Sequence, residues 1–235
     1  MENKISTPIA IIFAGILIAG AVLYGTKDGS STTSDSDTAA PKRDTGSLEE
    51  MRPVSESDHI RGNLNAKVFV VEYSDTECPY CKQFHTTMKQ VMDEYGNRGE
   101  VAWVYRHFPL DQLHSKARNE ALALECAAEL GGNDKFWAYT DRIYEITPTN
   151  NGLDPAELPK IAQYVGLNIN EFNTCMASNK YAKKVESDAQ NGIATGARGT
   201  PWNIVVTQDG DKRSLPGAYP YTAVKQLIDE VLASE

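Results

Sequence analysis

Val68-Phe69-Val70-Val71-Glu72-Tyr73-Ser74-Asp75-Thr76-Glu77-Cys78-Pro79-Tyr80-Cys81-Lys82-Gln83-Phe84 runs from an apolar, β-branched segment through a short polar turn to two cysteines three positions apart. That order predicts a strand, a loop and a helix, with Cys78 at the first turn of the helix. The first N–H groups of a helix have no internal acceptor, and the helix dipole puts partial positive charge there. A thiolate at Cys78 is stabilised by both. Because the thiolate is the nucleophile and the leaving group in disulfide exchange, a lowered pKa raises its population at neutral pH. Cys81, about one turn on, can attack a mixed disulfide formed at Cys78. Pro79 fits a helix start, where its missing N–H leaves nothing unsatisfied.

Two other uses of this spacing remain open at this level. A Cys-x-x-Cys can be half of a zinc site, and His85 follows Cys81 by four residues on the same helical face. No second such pair or His-rich segment supplies the remaining ligand. The pair could also be an inert staple, although closing so short a loop constrains the unfolded chain little.

The chain has 235 residues, 23% charged and 41% hydrophobic, with a formal net charge of -9. It is long enough for one full domain with additions. The acidic balance argues against nucleic acid, which needs clustered Lys and Arg. From Ile5 to Gly25 no residue is charged, and Pro8 to Tyr24 is almost wholly apolar. This is about the minimum length that spans a bilayer. The expectation is an uncleaved signal-anchor helix over residues 1–25, since the apolar run continues beyond the small residues Ala19-Gly20-Ala21 to Tyr24. Cleavage after those residues is the alternative, leaving a secreted or periplasmic protein. Residues 26–50, rich in Ser, Thr, Asp and Gly, read as a flexible linker.

The folded domain is expected over 51–235. After the organising strand, Phe84, Met88, Val91, Met92 and Tyr95 recur at helical spacing up to Gly96, and Val101 to Phe108 reads as a second strand. Strand, helix, strand of this length requires parallel pairing through a crossover. The chain then reads as helical for roughly eighty residues, an inserted subdomain at about 112–196. Its segments are Ala117 to Leu130, Asp134 to Ile146, Asp154 to Gly166, Asn170 to Ala177 and Tyr181 to Thr195. The aromatic stripes Phe136, Tyr139 and Phe172 read as core. A strand entered through Thr200-Pro201, a hairpin at Gln208 to Asp211, a short strand through Arg213 and Leu215, and a helix from Thr222 to Leu232 close the chain. The order β-α-β, helical insert, β-β-α is α/β and of thioredoxin type.

The Cys78-Pro79-Tyr80-Cys81 motif opening the first helix, the insert, and Gly199-Thr200-Pro201 at the entrance of the third core strand together resemble the DsbA-like thiol:disulfide oxidoreductases. The resemblance covers about Val54 to Ala233. It implies a thioredoxin fold with an inserted helical subdomain, here behind a transmembrane anchor. It implies a cis Thr200-Pro201 bond against the reactive pair, and a backbone edge beside the cysteines that a client peptide could join. It further implies a buried acid six residues before the first cysteine. Glu72 matches by spacing, and a solvent-facing strand residue is the other reading. The dipeptide Pro79-Tyr80 departs from the Pro-His of the best-known family member, and oxidising strength is not inherited from the family.

Cys126 and Cys175 fall on separate helices of the insert and are expected to form a structural disulfide, as suits an exported protein. Two free thiols are the alternative. His59, His107 and His114 carry no clear signal. The function expected is introduction of disulfides into exported proteins at Cys78 and Cys81, with the domain on the extracytoplasmic side of the cell membrane. Implied partners are client proteins with free thiols and a membrane oxidant, either DsbB-like or vitamin K epoxide reductase-like and linked to quinone. No metal, nucleotide or flavin is implied. Two alternatives stand beside this: a reductase or isomerase, and a non-catalytic module that binds unfolded chains.

Overall fold

The computed structural model describes residues 46–234, so the expected anchor and nearly all of the expected linker lie outside the described residues. Among the described residues no helix is long and apolar enough to cross a membrane. The organising stretch forms strand β2 (Val68–Ser74) and helix α1 (Pro79–Val91), with Cys78 at the N-cap. Strand β1 is His59–Arg61, and β3 is Val101–His107. Helices α2 (Ala117–Ile146), α3 (Glu157–Tyr164), α4 (Ile169–Ser178) and α5 (Ala182–Ala194) form the insert. Strands β4 (Trp202–Thr207) and β5 (Lys212–Pro216) and helix α6 (Tyr221–Leu232) complete the chain.

The strands make one sheet in the order β1-β3-β2-β4-β5. Strands β2 and β3 are parallel, with Val68 opposite Val101 and Ser74 opposite His107. The remaining pairs, β1 with β3, β4 with β2 and β5 with β4, are antiparallel. Every residue of β2 and β3 is buried, which explains why both read as continuous rather than alternating apolar runs. The strand period of two still sorts side chains by face. Val68, Val70, Trp103 and Tyr105 pack with Phe84 and Met88 of α1 and with Phe136 and Tyr139 of α2. Phe69, Val71, Tyr73 and Val104 pack with Ala189 of α5 on the opposite face. Glu72 therefore shares the parity of Val68 and Val70 and points under α1 and the insert.

Three features differ from the sequence reading. Strand β1 was not expected, because three residues are too few to show a period. The two helices expected to be separated by Gly131-Gly132 form one run whose helical geometry fails at those two glycines, where Gly132 has φ 71°. The folded part also begins before residue 51. Ser47 accepts from the Glu49 N–H to cap a turn of 3-10 helix over Leu48–Glu50, and the Ser47 N–H donates to the Ala194 carbonyl at 2.8 Å. Polar composition concealed this segment, since it is held by backbone bonds and by Asn191, whose Nδ2 donates to the Glu50 carbonyl at 2.7 Å.

Candidate active site

Cys78 and Cys81 are free thiols, and both are buried. The Cys78 N–H donates to the Asp75 carbonyl, a turn that delivers the sulfur to the start of α1. The Cys78 thiol donates to the Thr200 carbonyl at 3.5 Å, and Thr200-Pro201 is the cis peptide bond of the described chain. Thr200 Oγ1 has no other partner and is placed to donate to a thiolate. Donation from Cys81 is the largest influence on Cys78. With Thr200 and the N–H groups of Cys81 and Tyr80 it outweighs burial and brings the thiol from 9.0 to about 6. Burial pushes Cys81 the other way, well above the ordinary thiol value, and the neighbouring Cys78 and Glu72 add to it. Tyr80 stands 63% exposed beside the pair, whereas His85 points away from it. His85 Nε2 lies 2.7 Å from Asp141 Oδ1 and its ring lies against Trp103 and Tyr144, so the zinc arrangement of two cysteines with His85 is absent.

Glu72 is 1% exposed, which removes the solvent-facing alternative. Its Oε1 accepts from Ser74 Oγ at 2.6 Å and its Oε2 from Trp103 Nε1 at 2.9 Å. Burial pushes Glu72 up to about 7 in spite of these two donors, and the charge of Cys78 contributes. The Ser74 hydroxyl also interacts with Cys81. Cys81, Ser74 and Glu72 thus form a chain along which a proton can leave Cys81 when it attacks, or reach it when it departs. A carboxyl titrating near neutrality serves both directions.

Histidines without a sequence signal turn out to be buried partners of acids. His59 Nε2 and His107 Nε2 each lie 2.8 Å from Glu125 Oε1. Burial opposes ionisation of Glu125, but the two histidines outweigh it and hold the carboxyl far below its usual range. These three groups could hold a metal ion by their mutual distances. The ammonium of Lys184 already lies between them, 2.7 Å from His59 Nε2 and 2.8 and 2.9 Å from the Glu125 oxygens. His114 Nδ1 lies 2.8 Å from Asp75 Oδ2 in the loop that carries Cys78. Cys126 and Cys175 are joined, with an S–S distance of 2.00 Å, and tie α2 to α4.

The thioredoxin family profile matches residues 54–229, from before the reactive pair to the last helix. This chain belongs to the thioredoxin family. Among solved structures it is similar to DsbA2 of Pseudomonas aeruginosa, with 26% identity and a TM-score of 0.65, covering 76% of this chain and 97% of that one. It is also similar in fold to alpha-DsbA1 of Wolbachia pipientis, with a TM-score of 0.68 and 20% identity, covering 80% and 96%. The helical insertion makes the fold DsbA-like within the thioredoxin family. A curated relative named Na(+)/H(+) antiporter NhaA 3, from Salinispora tropica, is 34% identical over 190 residues, which is 80% of this chain. The chain spans 27% of the length of that relative.

Proposed function

We propose that this protein is a thiol:disulfide oxidoreductase working as an oxidase, donating the Cys78–Cys81 disulfide to exported proteins on the extracytoplasmic side of a membrane to which its N-terminal segment tethers it. A client thiolate attacks Cys78 Sγ, the Cys78–Cys81 bond breaks, and Cys81 takes a proton from Glu72 through Ser74. A second client thiolate attacks the client sulfur of the mixed disulfide, and Cys78 leaves as a thiolate. The client is oxidised by two electrons and the enzyme reduced. A quinone-linked membrane protein, DsbB-like or vitamin K epoxide reductase-like, reoxidises the pair. Thr200 and Pro201 form the backbone against which the client lies, and Pro79 and Tyr80 tune the pair.

The observation that carries the oxidase direction is the opposite displacement of the two thiols. Bringing Cys78 from 9.0 to about 6 stabilises the reduced form at pH 7 by about 1.4 kcal/mol. For a two-electron couple this raises the potential by about 30 mV. The test is the equilibrium reduction potential of the full-length protein in glutathione buffers, followed by gel-shift of alkylated thiols. A potential near about −120 mV, the range of strong disulfide donors, supports the oxidase. One near about −270 mV, the thioredoxin range, reassigns the protein as a reductase. Replacing both Cys78 and Cys81 by Ser must abolish client oxidation. Client protection that survives the replacement would instead support a binding module.

A further inference from the structure

Glu77 and Glu120 meet in the interior, and the disulfide exchange described above uses neither. Glu77 immediately precedes Cys78 and is fully buried; Glu120 is in the first turn of α2 and is 2% exposed. Glu77 is fastened at three points. Its N–H donates to Asp75 Oδ1 at 2.8 Å, its carbonyl accepts from the Asn150 N–H at 2.7 Å, and its Oε2 accepts from the Gly152 N–H at 3.2 Å. The other oxygen, Oε1, has no donor, and neither has Oε2 of Glu120. No lysine or arginine among the described residues forms an ion pair with either carboxyl. The two side chains are within hydrogen-bonding reach of one another. Two carboxylates cannot bond, but a carboxylic acid and a carboxylate can, and one shared proton satisfies both buried oxygens.

We propose that Glu120 is a positioning residue for the nucleophile: as a neutral acid it donates to Glu77 and so fixes the residue on which Cys78 is mounted. The inference rests on Cys78 being the attacking thiol of the proposed exchange. Of the groups facing the pair, Asp75 favours the neutral form of Glu120 and the Thr76 hydroxyl opposes it. From the loop before α1 come Asp75, itself bound to His114, and the Thr76 hydroxyl; from α2 comes Tyr139, whose hydroxyl donates to the Leu158 carbonyl instead; from the loop after α2 comes the Gly152 N–H. Burial, the bond with Glu77 and the charges of Glu77 and Asp75 raise Glu120 to about 9, against the Thr76 hydroxyl. The shared proton also withholds a second negative charge from the neighbourhood of the Cys78 thiolate at neutral pH.

The test compares the reduced full-length protein with its Glu120→Gln, Glu120→Ala and Glu77→Gln variants. The infrared carbonyl band of a protonated carboxylic acid is recorded at pH 8, where Glu72 is mostly ionised. It is expected in the wild type and lost in Glu120→Gln. The rate of Cys78 alkylation between pH 5 and 10 gives the functional readout. The wild type is expected to show the thiolate inflection near pH 6 and a second one near 9. Glu120→Gln, which keeps a donor, retains the first and loses the second. Glu77→Gln, whose amide donates to Glu120, moves the second towards the ordinary carboxylate range. Glu120→Ala, with no donor, shifts the first inflection upward and slows alkylation several-fold at pH 7. Wild-type and Glu120→Gln profiles that superimpose, an unchanged band, or equal effects of Gln and Ala at position 120 would each overturn the proposal. Alkylation does not depend on the direction of exchange, so a reductase-like potential with these profiles intact would refute the oxidase reading alone.

Discussion

Replacing Glu72 by Gln should make the protein more stable as pH rises, while slowing its chemistry. Glu72 lies beneath the cysteines with burial pushing it from 4.5 to about 7. A carboxyl whose folded pKa is raised holds more protons in the folded than in the unfolded state between those values. Its stabilising contribution is therefore complete below about 4.5 and is lost as pH rises through about 7. At about 1.4 kcal/mol per pK unit, the loss across this window is about 3 kcal/mol. Glutamine has no proton to lose. Its Oε1 can accept from Trp103 Nε1 and its amide can donate to Ser74 Oγ, whose hydroxyl then turns to Tyr144 Oη at 2.9 Å. The second amide N–H has no acceptor in this arrangement, which lowers the variant by the same amount at every pH, so its stability relative to the wild type should rise by about 3 kcal/mol between pH 4.5 and 8.5. The other titrating groups, Cys78 included, are common to both proteins and largely cancel in the difference.

The assay is urea unfolding of the reduced full-length protein at half-unit intervals from pH 4.5 to 8.5, taking the difference in unfolding free energy at each pH. A difference that stays flat, or that falls with pH, would mean Glu72 is ionised throughout and the raised value is wrong. The same variant should slow release of a mixed disulfide by Cys81 about 100-fold, the lower end of what a positioned proton acceptor supplies. Mixed disulfide trapped at Cys78 and followed by acid quench reports that rate.

Two further perturbations probe the frame around the site. Replacing Cys126 and Cys175 together by Ala opens a link across 49 residues and should cost about 4 kcal/mol on the chain-entropy account, read as a lower urea midpoint. Asp58→Ala should cost about 3–5 kcal/mol in the same experiment, because it strands the Arg106 guanidinium. That group is fully buried and donates to the Asp58 carboxylate from Nε at 2.9 Å and from Nη2 at 3.1 Å.

The organising strand and helix were legible because periodicity is local: Val68 to Ser74 is buried on both faces, and α1 repeats its apolar positions every turn. Thr200-Pro201 and Glu72 were reached through resemblance and spacing, not through any physical pattern in the residues. What the sequence hid are pairings across distance. Asp58 and Arg106 are 48 residues apart, and His59 and Glu125 are 66 apart. A polar residue that is buried with a partner looks in sequence like one that is exposed. Glu120 did leave a trace. It is placed three residues after Ala117 and four before Leu124, both buried, so a charge interrupts the apolar face of α2 where a solvated glutamate does not belong.

The insert is what converts a sheet face into a reactive interior. Helix α2 alone presents Glu120 to Glu77, Glu125 to His59 and His107, Asp141 to His85, and Tyr144 to Ser74. Each of these contacts pairs a buried polar group of the sheet, of α1 or of the loop between them. Without α2, the face of β2 that carries Glu72 would lose Tyr144, Phe136 and Trp137 from its cover, and the carboxyl would return towards its ordinary value. Glu72 would then be fully ionised at neutral pH, unable to return a proton to a departing Cys81. The helical insertion and the raised pKa of Glu72 are thus one feature, and the covering of this face sets the pH at which Cys81 can gain or lose its proton.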